Sequence, residues 1–207
     1  MRFPSRLLLV SVLGASALPP CGAVPFEPAK PITAANGLEL REFAKEPFLK
    51  NTVALGVDEE GRVYATSVDE KRAFYHRELV DANADKYRKR VRDQNEDGKV
   101  DWRDLTVLSD RIIRLEDTDQ DGVADEATTF AEGFNTEVTG IAAGVTAWDG
   151  TVYATVEPDL WALQDSDGDG QAEKRESLAH GFSVHVDYAG HNFSGPVLGP
   201  DGRIYMA

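Results

Sequence analysis

The sequence predicts an all-β fold, and three observations support this expectation. A glycine followed by a short strand pattern occurs three times, as GRVYATS, GTVYATV and GRIYMA, beginning at residues 61, 150 and 202. The first two copies are each followed by a stretch of the same length, residues 111–134 and 159–182, and these two stretches align without a gap. Within both, short apolar runs alternate with turns rich in aspartate and glycine, which is typical of antiparallel strands.

The spacing of the repeats favours a β-propeller. A period of about fifty residues with four strands in each unit is typical of propeller blades. The chain would then hold about three blades, whereas a closed propeller needs at least about four. We therefore expect the chain to be the N-terminal part of a longer protein. A β-sandwich whose hairpins happen to be similar is the alternative.

The first residues have the composition of an export signal. Two arginines precede an apolar run at residues 7–18, and this run is too short to span a membrane. We predict a signal peptide over residues 1–23, with cleavage after Ala17 or Ala23, and therefore an exported protein, periplasmic or extracellular. The alternative is a lipoprotein signal in which Cys21 is acylated, but prolines before the cysteine disfavour it.

The rest of the chain divides into a linker and one domain. Residues 24–36 contain three prolines and are predicted to be an extended linker. Residues 37–207 form the predicted propeller domain. Within its first unit, residues 68–110 interrupt the repeat with a charged sequence rich in helix formers, so we predict a helical insert that also carries an acidic loop.

The charge of the chain excludes some partners. The formal net charge is −14, and the acidic residues lie in local clusters. Because nucleic acids and anionic membranes repel such a chain, neither is an expected partner. The single cysteine allows no internal disulfide. The acidic charge can serve solubility alone, and its clustering instead favours bound cations.

Three acidic loops have the alternating oxygen ligands and the turn glycine that calcium requires. Loop one offers Asp93, Asn95, Asp97, Asp101 and Asp104; loop two offers Asp117, Asp119, Asp121 and Asp125; loop three offers Asp165, Asp167, Asp169, Glu173 and Glu176. Loop one best fits the spacing of EF-hand and dockerin loops. Loops two and three lie between strands, so they cannot open a pair of helices as sensor EF-hands do. We therefore expect Ca²⁺ to have a structural role there. Solvated hairpin turns without an ion are the alternative.

Histidines provide the candidate catalytic residue. His180, His185, Asp187 and His191 lie close together in the sequence, but nothing defines a complete transition-metal site. His191 precedes the third repeat, where a strand would line the central channel of a propeller. A histidine at this position can act as a general base, because its unperturbed pKa of about 6.5 lies in the working range. A structural, hydrogen-bonded histidine is the alternative.

The chain resembles a known family over residues 53–207. The segment GHNFSGPVLGPDGRIYMA is similar to the histidine-bearing blade entrance of the soluble glucose/sorbosone dehydrogenase propellers. Similar propellers occur in exported proteins of Planctomycetes and Verrucomicrobia, often described as membrane-bound dehydrogenases and carrying a haem-binding CxxCH cytochrome c module downstream. GIAAGV, DLWALQDSDGDG, GFSVHV and GPDGRIY resemble recurring segments of these proteins.

The resemblance implies a six-bladed propeller that oxidises a sugar or alcohol with pyrroloquinoline quinone. His191 would be the catalytic base, and the partners would be the substrate and a downstream cytochrome c module. The quinone-binding residues would lie in later blades and are not identified in this chain. A non-catalytic, calcium-stabilised scaffold that binds a carbohydrate or a protein is the alternative, and a dockerin-like docking element formed by loop one and the insert ranks last.

Overall fold

The structure is a computed structural model that describes residues 7–9, 34–69, 93–99, 101–136, 139–182 and 193–207. Most of the predicted signal peptide, linker and helical insert lies outside these residues. The described elements, in chain order, are β1 (Leu7–Leu9), β2 (Leu40–Glu42), β3 (Thr52–Val57), β4 (Val63–Ser67), a 3-10 helix (Trp102–Val107), β5 (Asp110–Glu116), β6 (Glu126–Phe134), β7 (Ala142–Trp148), β8 (Thr151–Val156), β9 (Asp159–Gln164), β10 (Lys174–His180), β11 (Val197–Leu198) and β12 (Ile204–Tyr205).

Two four-stranded antiparallel sheets form the main part of the described chain. Sheet I has the order β3-β4-β5-β6, and sheet II has the order β7-β8-β9-β10. In both sheets every strand pairs with its neighbour in the sequence, as in a meander. β11 and β12 form a third hairpin, while β1 pairs in parallel with β2. The prediction of an all-β fold is confirmed.

The sequence repeat corresponds to a repeat in strand pairing. The first hairpin of each unit places equivalent residues opposite each other: Val57 and Val63, Ala147 and Val152, Leu198 and Ile204. The turns of the first and third hairpins are closed by equivalent backbone hydrogen bonds. Gly61 N–H donates to the Asp58 carbonyl, and Gly202 N–H donates to the Gly199 carbonyl. The strands predicted in the three glycine-led repeats and in the two long aligned stretches are therefore present.

The main hydrophobic core lies between sheets I and II. Tyr64, Ile112 and Phe130 of sheet I pack with Val145 and Leu163 of sheet II, and all five side chains are buried. Tyr64 meets Phe130 edge to face, with ring centroids 5.0 Å apart. Burial in this core raises the pKa of Tyr64 to about 12.

A second core covers the opposite face of sheet I. Phe43, Ala44 and Leu49, from the segment that precedes β3, pack against Val63 and Leu115. Leu115 and Leu163 occupy equivalent positions in the two sheets, and both are fully buried. Sheet I therefore lies between the N-terminal segment on one side and sheet II on the other.

Glycine allows the successive units to approach closely. A Cβ atom at Gly56 of β3 would lie 2.9 Å from the Cα of Thr146 in β7. A Cβ atom at Gly144 of β7 would lie 2.5 Å from both Pro196 Cδ and Thr155 Oγ1. Each unit thus packs against the next through a strand that leaves no room for a side chain at this point.

The meander separates two ends of the structure. Asp149 N–H donates to Glu59 Oε1 at 2.9 Å, so the first turns of sheets I and II lie together. Because consecutive strands run in opposite directions, acidic loops two and three lie at this same end, which we call the loop end. The β4–β5 connection and the β8–β9 turn lie at the opposite end, called the joint end.

Candidate metal centres

Loop three connects β9 to β10 and gathers four carboxylates. The ligand atoms of Asp165, Asp167, Asp169 and Glu173 lie within 4.8 Å of one another. Asp165 is partly buried, whereas the other three are exposed to solvent. Glu176, also predicted as a ligand, lies in β10 opposite Ala162 and outside this group. Four of the five predicted ligands of loop three are therefore brought together.

Backbone N–H groups orient these carboxylates. Asp165 accepts hydrogen bonds from Gly168 N–H at 2.6 Å and from Gly170 N–H at 2.8 Å. The side chains of Asp167 and Asp169 each accept a hydrogen bond from the backbone N–H two residues further along the chain. Glu173 Oε2 closes the loop by accepting Ser166 N–H at 2.7 Å. The acidic side chains are thus held toward the inside of the turn.

The environment of Asp165 favours its charged form. Burial opposes ionisation, but the hydrogen bonds from Gly168 and Gly170, together with the Arg114 guanidinium, hold the pKa of Asp165 below its ordinary value of 3.8. Arg114 Nη1 lies 3.3 Å from Asp165 Oδ2. Asp165 is therefore available as an anionic ligand.

Loop two has the same arrangement between β5 and β6. The ligand atoms of Asp117, Asp119 and Asp125 lie within 4.8 Å of one another. Asp117 accepts Gly122 N–H at 2.8 Å, as Asp165 accepts Gly170 N–H in loop three. Hydrogen bonds from the side chain and backbone of Thr118 hold the pKa of Asp125 below its ordinary value. Asp121, the fourth predicted ligand, accepts Val123 N–H and is not part of the group.

Loop one has the same first turn, and its closing carboxylate is the most deeply buried of the three. Asp93 accepts Gly98 N–H at 2.7 Å, and Asp97 accepts Lys99 N–H at 2.8 Å, as in the other loops. Asp104 is 1% exposed, and its carboxylate accepts the N–H groups of Gln94 and Asp101. Within the described residues, the clusters of three or more carboxylates lie in loops two and three. Loop one, whose sequence best fits the spacing of EF-hand and dockerin loops, is not among them.

Loops two and three also contact the preceding part of the fold: loop three contacts sheet I, and loop two contacts the segment before β3. Ala172 of loop three donates its N–H to the Phe130 carbonyl at 2.8 Å, and Ala124 of loop two donates to the Phe43 carbonyl at 2.8 Å. An arginine lies over the turn glycine in each case: Arg114 over Gly170, and Arg41 over Gly122. No local sequence pattern predicts these contacts; the equivalent position of Ala124 and Ala172 in the aligned stretches is the signal that could have indicated them.

Replacing Gly170 by alanine is expected to destabilise the protein by about 2–3 kcal/mol, more than the same change at Gly168. Both glycines have positive φ, +90° and +84°. A Cβ at Gly170 would also lie 2.8 Å from Arg114 Nη2, whereas nothing lies within 4 Å of a Cβ at Gly168. Urea unfolding of the two variants measures the difference, and equal losses would contradict a contact role for Arg114.

The donor set favours a hard cation. Every candidate ligand in the two groups is a carboxylate oxygen, and Ca²⁺ prefers oxygen ligands in flexible geometry. Zinc and copper prefer nitrogen or sulfur, and neither group contains a histidine or cysteine. The residues present therefore fit Ca²⁺.

A family model matches most of the chain. Residues 25–207 match DUF7133, a domain of unknown function. The chain belongs to the DUF7133 family. No curated protein and no solved structure matches the chain significantly. The DUF7133 match includes both sheets, the third hairpin and all three acidic loops, so these features lie within the family domain.

The histidines of this DUF7133 chain are only partly described. His180, in β10, has a side chain that is 69% exposed, and its Nδ1 lies 2.9 Å from Asp159 Oδ1. His185, Asp187 and the predicted catalytic base His191 lie outside the described residues. Downstream of them, Phe193 N–H donates to Oε1 of the buried Glu157 at 2.8 Å, at the joint end. No described helix has the length and apolar character needed to span a membrane.

Proposed function

We propose that this protein is a calcium-stabilised β-propeller module, exported from the cell and resembling the propellers of quinone-dependent sugar dehydrogenases. The observation that carries the calcium role is the grouping of four carboxylates of loop three within 4.8 Å, repeated with three carboxylates in loop two. Two meander sheets packed face to face, followed by a third hairpin of the same pattern, support successive propeller blades.

Calcium would act on the packing of the sheets as well as on the loops. Carboxylates this close repel one another when all are ionised, and a divalent cation removes this repulsion. Loop three touches sheet I through Phe130 and Arg114. Filling the loop therefore stabilises the contact between two successive sheets, which is a structural role.

Calcium titration of chelator-treated protein tests the proposal. We expect saturable binding by calorimetry, with a rise in melting temperature because Ca²⁺ binds the folded state. Asp167→Asn and Asp119→Asn should each weaken one class of site about tenfold or more, since affinity depends on the number of charged ligands. Asp149→Asn removes the same charge from a turn outside the loops and should bind as the wild type does. Absence of binding at millimolar calcium would refute the proposal.

Oxidation of a sugar or alcohol is the second candidate function. It rests on the sequence resemblance around His191 and on the anchoring of the backbone just downstream, at Phe193, by the buried Glu157. Bound pyrroloquinoline quinone would supply the hydride acceptor, and His191 would accept the hydroxyl proton of the substrate. A downstream cytochrome c module would be the electron-accepting partner.

This second function is tested by reconstituting the full-length protein with quinone and calcium and measuring substrate-dependent reduction of a dye. His191→Ala should lose activity by about a hundredfold or more if the residue is a general base. His180→Ala is the matched control, because His180 is exposed and paired with Asp159. Equal activity of the wild type and His191→Ala would remove His191 from the mechanism and leave the scaffold role.

A further inference from the structure

Loop three has an arginine of the other sheet in contact with one of its carboxylates. Arg114 lies in β5 of sheet I, between β4 and β6, and its Nη1 is 3.3 Å from Oδ2 of Asp165 in loop three. Both side chains are largely buried, with 12% and 14% of their surfaces exposed. Because little solvent screens this pair, the guanidinium charge acts strongly on the loop.

This contact gives the metal-free loop a counter-charge. The four carboxylates of the loop-three group repel one another when ionised, and a positive charge beside them reduces that repulsion. Arg114 also pairs with Glu116 of its own strand, so it keeps a partner when the Asp165 carboxylate turns to a cation. The arginine therefore supplies, without metal, part of what calcium would supply.

Arg114 is not needed to orient Asp165. Oδ1 of this carboxylate accepts Gly168 N–H at 2.6 Å, and Oδ2 accepts Gly170 N–H at 2.8 Å. Both hydrogen bonds come from the backbone of the loop itself, and both are shorter than the contact with Arg114. Loss of the arginine would therefore leave the ligand oxygens in place and remove a positive charge that opposes a second cation.

Loop two lacks an equivalent ion pair within the described part of the chain. Arg41 lies beside Gly122, but its Nη1 donates to the Asp121 carbonyl at 2.9 Å. Its Nε pairs with Glu39 at 2.6 Å, and its side chain is 46% exposed. The positive charge near loop two is thus neutralised outside the carboxylate group and screened by solvent.

We propose that Arg114 is a built-in counter-cation of loop three, which holds the metal-free loop against sheet I and lowers the affinity of the loop for calcium. This inference rests on the calcium role proposed above. Calcium and the Arg114–Asp165 pair oppose each other, because each is favoured by the same carboxylate charge. Loop two has no such pair, so its packing on the segment before β3 lacks this support in the metal-free protein.

Calorimetric calcium titration of chelator-treated protein tests the proposal, with Asp119→Asn present throughout to weaken the loop-two site. In this background Arg114→Gln should bind calcium about tenfold more tightly, because a positive charge close to the ion is removed. Without calcium this variant should melt at a lower temperature, and added calcium should narrow the difference. Arg114→Lys keeps the charge and should bind calcium more nearly as the unchanged arginine does.

Arg41→Gln is the matched control, since it removes the same charge beside loop two without breaking a pair with a ligand carboxylate. In an Asp167→Asn background, which weakens loop three, it should change the calcium affinity by less than about threefold. A similar tightening by Arg41→Gln would show that the effect is not specific to the Arg114–Asp165 pair and would overturn the proposal.

The same titrations separate this inference from the calcium role itself. Equal or weaker calcium binding by Arg114→Gln, or binding by Arg114→Lys as tight as that of Arg114→Gln, would overturn the counter-cation and leave the calcium role intact. If the wild type binds no calcium, both proposals are wrong. An Arg114→Gln protein that folds only with calcium would support the proposal, whereas one that stays unfolded with calcium would overturn it.

Discussion

Replacing Leu163 by alanine is expected to lower the free energy of unfolding by about 2–5 kcal/mol, the largest effect of any substitution considered. Leu163 is fully buried in β9, in the core shared by sheets I and II. Truncation removes apolar burial and leaves a cavity between two sheets, whose backbones are held by hydrogen-bonded ladders and cannot move together easily. Urea unfolding followed by circular dichroism measures the loss.

Leu178→Ala in the neighbouring strand β10 is the control for this experiment. Its side chain is 45% exposed, so the same truncation should cost well under about 1 kcal/mol. Leu115→Ala, at the equivalent buried position in sheet I, should resemble Leu163→Ala, because the N-terminal segment covers Leu115. A loss below 1 kcal/mol at Leu163 would mean that the two sheets do not share a core.

Replacing Asp110 by alanine is expected to destabilise the protein by about 2–4 kcal/mol. Asp110 is fully buried at the joint end, where Oδ1 accepts Asp69 N–H and Oδ2 accepts Ala142 N–H, both at 2.9 Å. Alanine leaves two N–H groups without these acceptors, one of them at the first residue of sheet II. Thermal and urea unfolding measure the cost.

Asp110→Asn separates the loss of hydrogen bonds from the loss of volume. The amide has nearly the same shape but keeps only one acceptor oxygen, so its cost should be smaller than that of alanine. Asp201→Ala, in an exposed turn, controls for removal of a carboxylate and should be close to neutral. If Asp110→Ala were equally neutral, the link between sheet I and the start of β7 would carry no stability.

The strands and their order could be predicted from the sequence because the signals are local. Short apolar runs around Val63 and Val152, and turns such as Asp58 to Gly61, specify hairpins within a few residues. The repeat then predicts that neighbouring hairpins join in the same way, as sheets I and II do. The placement of loops two and three between strands followed directly from the same pattern.

The contacts between units could not be predicted, because they depend on how one sheet lies against the next. Arg114 and Gly170 are far apart in the sequence, and neither belongs to a periodic pattern that identifies the other. Asp110 lies at the end of the predicted insert, and nothing in the sequence indicates that its carboxylate joins sheet I to β7. In loop one, the sequence does not indicate that the Asp104 carboxylate is buried and accepts backbone N–H groups of the same loop.

The junction between β4 and β5 also indicates where the chain can change in length. The equivalent β8–β9 turn contains only Glu157 and Pro158, whereas residues 68–109 lie between β4 and β5. The hydrogen bond from Asp69 to Asp110 ties the two ends of this connection together, so added residues do not shift the pairing of either strand. For protein engineering this junction is the natural point for grafting a foreign peptide, while one residue added within loop two or three would displace a carboxylate from its group.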